Sequence, residues 1–316
     1  LNRDFNGLAV IQRNLSLLVR AMELSRLFSK GNLEVMVLQG LTVVRSYPNP
    51  ALRPMEDIDL LVRRRDMDRM KQALKTAGFS PTPLYPDLFE KDSLLLDVHV
   101  HPLNLDRIRS RRFLFPENIA PLWRRAAPFF EGEKGGLLQP DPVDNFILLC
   151  AHALKHSYSL EKWLVDLTIL MSKWWEDEAG WTELVRRSRF WRQERPVLYG
   201  LMLVEAMLGE KIPRVVLLEL GMDRLTAVEK RILRLKAAGF ASDRLCMALW
   251  FYTIQGWGRR LRFLWESVFP RRAVMAQVRG RYAENLRPAD YLRRGGQAMR
   301  LAACDAAALI RALFTS

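Results

Sequence analysis

Apolar positions along the chain fall into two regimes. In the first third, short apolar runs alternate with helix-period stripes. Over residues 8–29, Ile11, Leu15, Leu18 and Met22 share one stripe, which predicts an amphipathic helix stopped at Gly31. LEVMVL at 33–38 predicts a strand, after which Gly40 turns the chain into a short helix over 41–47. DIDLLV at 57–62 and SLLLDVHVH at 93–101 predict two more strands. Between them lies a helix over 66–78, with Asp66 as its N-cap, Met67, Met70, Leu74 and Ala77 on one face, and Gly78 as its stop. From about residue 138 the strand signals cease. PDPVDNFILLCAHALKH and SLEKWLVDLTILMSKWW read as helical, as do 182–195, 196–208, 226–239 and 241–265. The Gly- and Pro-rich stretch 129–142 separates the regimes. The expectation is an α+β protein: a small mixed β-sheet core with helices over 1–137, including the N-terminal helix, then an all-α domain over 138–316.

Composition narrows the class. Of 316 residues 49% are hydrophobic and 27% charged, the make-up of a folded rather than a disordered chain. No apolar run approaches the roughly 20 residues that span a bilayer, so no transmembrane segment is expected. The opening LNRDFNGLAVIQRNL has no signal-peptide core. Cys150, Cys246 and Cys304 are scattered and odd in number, which excludes a disulfide framework and a Cys-type zinc site. A cytoplasmic protein is expected.

The net charge of +14 predicts an anionic partner, namely nucleic acid, a nucleotide or an acidic membrane surface, unless it is only a solvated basic surface. From Arg259 to Arg300 there are eleven arginines against three acids. In WGRRLRFLWESVF, arginines interleave with Trp and Phe. That pattern fits an RNA footprint, a helix on an anionic membrane, or a helix with its aromatics inward and its arginines in water.

The candidate chemistry begins with Asp57 and Asp59. Strand alternation points them the same way, while Ile58 and Leu60 face a core. Two such charges repel, and a hard divalent cation with phosphate oxygens offsets this. Asp97, flanked by Leu96 and Val98, repeats the pattern 38 residues after Asp59. If the two strands are neighbours, the three aspartates converge on one metal site. Gly40 lies 17 residues before Asp57, at a strand-to-helix turn whose free amides suit phosphate, although an ordinary turn glycine looks the same. His99 and His101 share a strand face with Asp97. They are read as a partner of the aspartates and a rim residue, or with Asp97 as the metal site of a hydrolase or metal-binding protein. His152, His156, Trp163 and Asp166 fall close together on one unbroken helix, though SYS at 157–159 is a possible break with Ser159 capping a second helix. This group reads as a polar network lining a cleft between the two halves, as base or acceptor contacts, or as metal ligands.

VMVLQGLTVVRSYPNPALRPMEDIDLLVRRRDMDRMKQALKTAGF followed by LLLDVHVHPL resembles the DNA polymerase β-like nucleotidyltransferase superfamily, and within it the bacterial group of uncharacterised nucleotidyltransferases. That group shows a strand ending in Leu-Lys-Gly, an Arg before an Asp-hydrophobic-Asp strand, and a later Asp-hydrophobic-His. AHALKHSYSLEKWLVDLTILM and FLWESVFPRRAVMAQVRGRY also look like that group. The resemblance implies transfer of a nucleoside monophosphate from an NTP, ATP being expected first, to the hydroxyl of a small molecule, protein or RNA. Asp57, Asp59 and Asp97 would bind Mg²⁺ (or Mn²⁺), and Asp97 would help deprotonate the acceptor. Gln39, Gly40, Leu41 and Thr42 would cradle phosphates, Arg53 would clamp one, and His99, His152, Lys155, His156 and Asp166 would line the acceptor cleft. Position 39 departs from the group: Gln stands where Lys is usual. Either Arg53 or Lys155 supplies the missing charge, or the protein binds nucleotide or RNA without catalysis.

Overall fold

The computed structural model describes residues 2–105, 107–132, 136–172, 177–240, 243–280 and 282–314. Residues 133–135 of the predicted boundary, 173–175 at the end of the predicted SLEKWLVDLTILMSKWW helix with 176 after it, and 241–242 of the last predicted helix lie outside them.

A long helix, α1 (Asn2–Lys30), leads into β1 (Glu34–Leu38), the short α2 (Gly40–Val44), β2 (Asp57–Val62) and α3 (Met67–Thr76). β3 (Ser80–Thr82), β4 (Tyr85–Lys91) and β5 (Leu94–His99) follow, then α4 (Ala120–Arg125), β6 (Ala127–Pro128) and β7 (Gly136–Gln139). The seven strands form one mixed sheet in the order β3-β4-β5-β2-β1-β7-β6. β2 pairs antiparallel with β1 and parallel with β5, and β1 pairs parallel with β7. The rest is helical: α5 (Pro142–Lys155), α6 (Lys162–Met171), α7 (Glu178–Trp191), α8 (Glu194–Leu208), α9 (Arg214–Glu219), α10 (Ala227–Ala237), α11 (Asp243–Thr253), α12 (Trp257–Val268), α13 (Arg272–Arg279) and α14 (Pro288–Phe314). Among the described residues no helix is long and apolar enough to cross a membrane.

Both faces of the sheet are covered, which is why its central strands read as continuous apolar runs. Val35, Val37, Ile58, Leu60, Val62, Leu96 and Val98 meet Leu17, Leu24 and Phe28 of α1 and Met70 and Leu74 of α3. Met36, Leu38 and Leu61 turn the other way, into a core with Phe146, Ile147, Cys150 and Leu154 of α5. Asp57 and Asp59 share the face of Leu61, so the carboxylates look toward the helical half.

Several local expectations shift. The buried side of α1 is Asn14, Leu17, Ala21, Leu24, Ser25 and Phe28, whereas Leu15 and Met22 are exposed. Both stripes fit the helical period, and partners decide between them. Asn14 Nδ2 donates to the carbonyls of Pro50 (2.7 Å) and Arg53 (2.9 Å), and Ser25 Oγ accepts the Leu137 amide (3.2 Å). The left-handed residue after α1 is Asn32 (φ 48°), not Gly31. Asp66 makes no capping bond to α3 and instead accepts from Arg69 Nη1 at 3.1 Å. Gly256 (φ 87°) splits the 241–265 segment into α11 and α12. β3 carries Pro81 at the sheet edge, and Pro86 of β4 lies outside the 88–91 stretch that pairs with β5; proline is tolerated at such positions but masks the strand signal.

Gly136 opens β7 with φ 80°, and a Cβ there would lie 2.5 Å from the Ser25 carbonyl oxygen. Backbone conformation and backbone clash both oppose a side chain, so Gly136→Ala should cost at least about 2 kcal/mol in urea unfolding. A change within about 0.5 kcal/mol, the range of an ordinary surface substitution, would contradict this close packing of α1 on β7.

Candidate active site

Strand register assembles the carboxylates. In the parallel pairing of β2 with β5, Asp59 stands opposite Asp97 and Asp57 opposite Leu95. His99, two residues beyond Asp97, faces the same way. Its Nε2 lies 3.1 Å from Asp59 Oδ1 and 3.3 Å from Asp97 Oδ2. One ligand atom from each of Asp59, Asp97 and His99 lies within 4.8 Å of the other two. Asp59 and His99 are buried, Asp97 is half-buried, and Asp57 reaches solvent at the mouth of the same face.

The cluster is electrostatically tense. Desolvation first, then the negative charges of Asp59, Asp97 and Glu56, push Asp57 up to about 6, against the pull of Lys162. Burial raises Asp97 as well, with Asp59 adding to it and His99 opposing. Burial would lower His99, but its hydrogen bond to Asp59 and the charges of Asp97 and Asp59 outweigh that, and its pKa is raised. The two carboxylates thus favour the charged form of His99 by more than burial disfavours it. Lys155, at the end of α5, is brought down to about 8 by burial and by Arg111, while Asp59 and Asp97 hold it up. Burial and neighbouring cations depress His152 well below its ordinary value and bring His156 to about 4, so both are neutral imidazoles at pH 7.

The turn after β1 is unusual in its backbone. Gln39 has φ 57° and ψ −128°, outside the regions a non-glycine residue favours. Its carbonyl accepts both the Thr42 amide (3.0 Å) and Thr42 Oγ1 (2.6 Å), which holds the turn closed. Thr42 Oγ1 in turn accepts from Asn145 Nδ2 (2.9 Å) on α5. Space beside Gly40 is tight: a Cβ there would lie 3.2 Å from the Met55 side chain and 3.3 Å from Arg53 Nη2, which would have to yield by a few tenths of an ångström. The Leu41 side chain is part of the core under the sheet, leaving only its backbone for the turn.

Arg53 is only 4% exposed. Its Nε and Nη2 donate to the two Asp166 carboxylate oxygens at 2.7 and 2.8 Å, and Nη1 donates to the Pro54 carbonyl at 2.9 Å. Tyr47 donates to Asp166 Oδ1 at 2.6 Å. This buried trio joins the loop before β2 to α6 and lies beneath the Gly40 turn. Arg53 and Asp166 thus come together as a bonded pair rather than as cleft-lining side chains.

His101 lies beyond the end of β5. Its Nε2 bonds the Pro116 carbonyl (2.9 Å), its Nδ1 accepts the Leu103 amide (3.1 Å), and its ring meets Phe115 edge-on. Both ring nitrogens are occupied, so Asp97, His99 and His101 do not form a metal set. Asp59 takes the third place. His152, His156 and Trp163 pack as a ring cluster with centroids 4.5 to 5.4 Å apart, although the helix breaks between them where Ser157 and Tyr158 have positive φ. Sequence periodicity missed Asn145, Tyr47 and Lys162. Asn145 and Tyr47 act through partners more than 100 residues away, and Lys162, which donates to the Pro54 carbonyl at 3.2 Å, carries no spacing signal.

Two carboxylates and an imidazole this close suit a divalent cation. Oxygen donors favour Mg²⁺, and Mn²⁺ accommodates the imidazole more readily. The raised Asp57 value also sets a sign for stability. Its folded pKa of about 6 lies above the ordinary carboxylate value, so ionised Asp57 opposes folding and that cost is relieved as pH falls through 6 toward about 4. Metal-free Asp57→Asn should be the more stable protein at pH 8, with the difference gone by about pH 4 in urea titrations. An equal difference at both pH values would contradict this. Because Asp57 reaches solvent, the gain is small.

The family described as "Uncharacterised nucleotidyltransferase" matches residues 6–209, which span the sheet, the carboxylate cluster and α5 to α8 and end before α12. No curated protein and no solved structure matches the chain. With two thirds of its length matched and the Asp59, Asp97 and His99 cluster inside the match, the chain belongs to this nucleotidyltransferase family.

Proposed function

We propose that the protein transfers a nucleoside monophosphate from an NTP to an acceptor hydroxyl. The acceptor oxygen forms a bond to the α-phosphorus, the bond from that phosphorus to the bridging oxygen breaks, and pyrophosphate leaves. The observation that carries this reading is the Asp59–Asp97 register, with His99 bonded to both, in a chain of a nucleotidyltransferase family. Asp57, Asp59 and Asp97 would hold Mg²⁺ or Mn²⁺, which would supply positive charge to the phosphate oxygens and the leaving group.

The chain's own groups take the remaining tasks. Asp97, half-buried on β5 opposite Asp59, would accept the proton of the attacking hydroxyl. His99, whose Nε2 is bonded to both carboxylates, would join them as a ligand when the cation is bound. Gln39, Gly40 and Leu41 offer turn amides to the β and γ phosphates, and Thr42 holds that turn closed through its bonds to the Gln39 carbonyl. α2 has only five residues, so these amides rather than a helix dipole would matter. Lys155 provides the cation that Gln39 lacks: Asp59 and Asp97 favour its charged form. Arg53, held by Asp166, supports the turn from below instead of clamping phosphate directly. His152 and His156, as neutral rings beside Trp163, form an acceptor wall. The division into a catalytic part over 1–137 and a helical part over 138–316 would put substrates between the sheet face and α5.

The second reading is a nucleotide- or RNA-binding protein without turnover, and the neutral Gln39 favours it. Calorimetry with each NTP and Mg²⁺, together with release of labelled pyrophosphate, separates the two. Metal-dependent NTP binding should disappear in Asp59→Asn. In Lys155→Met it should weaken at least about tenfold, some 1.4 kcal/mol, with metal binding retained. Undiminished metal-dependent NTP binding by Asp59→Asn would end the proposal. Tight binding with no pyrophosphate release across a panel of hydroxyl acceptors would favour the second reading.

A further inference from the structure

Helix α12 is turned the opposite way from an ordinary surface helix. Trp257, Leu261, Leu264 and Val268 fall on one stripe with Trp265 at its edge. In a folded domain such a stripe faces the core. Here it faces solvent: Trp257 is 69% exposed, Leu261 60%, Leu264 43% and Trp265 65%. The side turned to the protein is largely polar. Glu266 accepts the Ser110 amide at 2.8 Å, Arg259 lies 5.5 Å from the Phe113 ring centre, and Phe263 makes the apolar contact with the helical core. Polar contacts thus hold the helix down while its apolar stripe is offered outward. On α14, which reaches the end of α12 where Gly295 lies against Phe269, Leu292 and Met299 are exposed too.

The surroundings are basic. Arg260 and Arg262 border the stripe on its two sides. Arg259, Arg262, Arg271, Arg272, Arg293 and Arg300 are exposed, in a stretch with eleven arginines against three acids. That charge selects the occupant. A second copy docked across a two-fold axis would set this basic face against itself. Single-stranded RNA stacks its bases on aromatic faces, whereas two leucines separate the indoles on a convex helix. A bilayer with anionic headgroups supplies both an apolar layer and negative charge, and arginine stems can lie along the apolar side while their heads meet phosphate.

We propose that the α12 face seats the protein on an anionic phospholipid surface without crossing it. Trp257, Leu261, Leu264 and Trp265 enter the boundary between headgroups and acyl chains, and the bordering arginines pair with lipid phosphates. The family match ends before α12, and this inference stands apart from the catalytic reading.

The test is co-sedimentation of the full chain with vesicles of phosphatidylcholine alone and of an equal mixture with phosphatidylglycerol. Binding should be at least about tenfold stronger to the mixed vesicles and should weaken as salt rises. Trp257→Ser/Trp265→Ser should reduce it at least about tenfold with an unchanged unfolding temperature, and Leu261→Gln/Leu264→Gln should do the same should the first variant fold poorly. Absence of binding, equal binding to both vesicle types, or binding indifferent to these substitutions would overturn the proposal. So would a dimer in solution, or an RNA complex, that the same substitutions abolish while vesicle binding is missing.

Discussion

The structure depends on one pairing: β2 lies parallel to β5 with Asp59 opposite Asp97. Directly opposed like charges destabilise a sheet, and partial burial sharpens the repulsion. The apolar residues of the same strands fix the register regardless. Ile58, Leu60, Leu96 and Val98 fill the core under α1 and α3, and a one-residue slip would bury the aspartates there instead. The sheet thus holds two carboxylates in a geometry they would not choose. His99 Nε2 bonds both carboxylates, and the charge of Lys155 acts on them as well. A cluster built this way can hold a divalent cation, since the cost of bringing the carboxylates together is already met by folding.

The helical half completes the site rather than sitting beside it. Leu38 and Leu61 share a core with α5 and α6, and the Arg53–Asp166 pair fastens the loop before β2 to α6. Asn145 of α5 holds Thr42, and Lys155 at the other end of the same helix faces the carboxylates. One helix therefore reaches both the turn after β1 and the aspartate cluster. Removing one member of the Arg53–Asp166 pair would leave the other charge buried and unpaired, so this anchor constrains the site even though it touches no metal ligand.

Legibility in the sequence followed the range of the interactions. The central strands, the turn at Gly40 and the pattern of Asp57, Asp59 and Asp97 were readable because alternation and punctuation are local signals. The edge strand β3 and its neighbour β4 were not, since Pro81 and Pro86 weaken their strand signal. The buried face of α1 is not legible locally, because two stripes fit one period and only the distant Pro50, Arg53 and Leu137 backbone groups decide for Asn14 and Ser25. Arg53 looked like a free cation for the same reason: Asp166 is 113 residues away. His101 appeared to continue the β5 alternation, but the strand ends at His99.

The central claim is that Asp59, Asp97 and His99 form one divalent-cation site. Electron paramagnetic resonance of the protein titrated with Mn²⁺ tests it most directly, with wild type compared against Asp97→Asn and His99→Gln. The account predicts tight binding in wild type with nitrogen coupling to the ion, loss of the nitrogen coupling in His99→Gln, and loss of tight binding in Asp97→Asn. Unchanged tight Mn²⁺ binding in Asp97→Asn, or a bound ion without nitrogen coupling in the wild type, would contradict it.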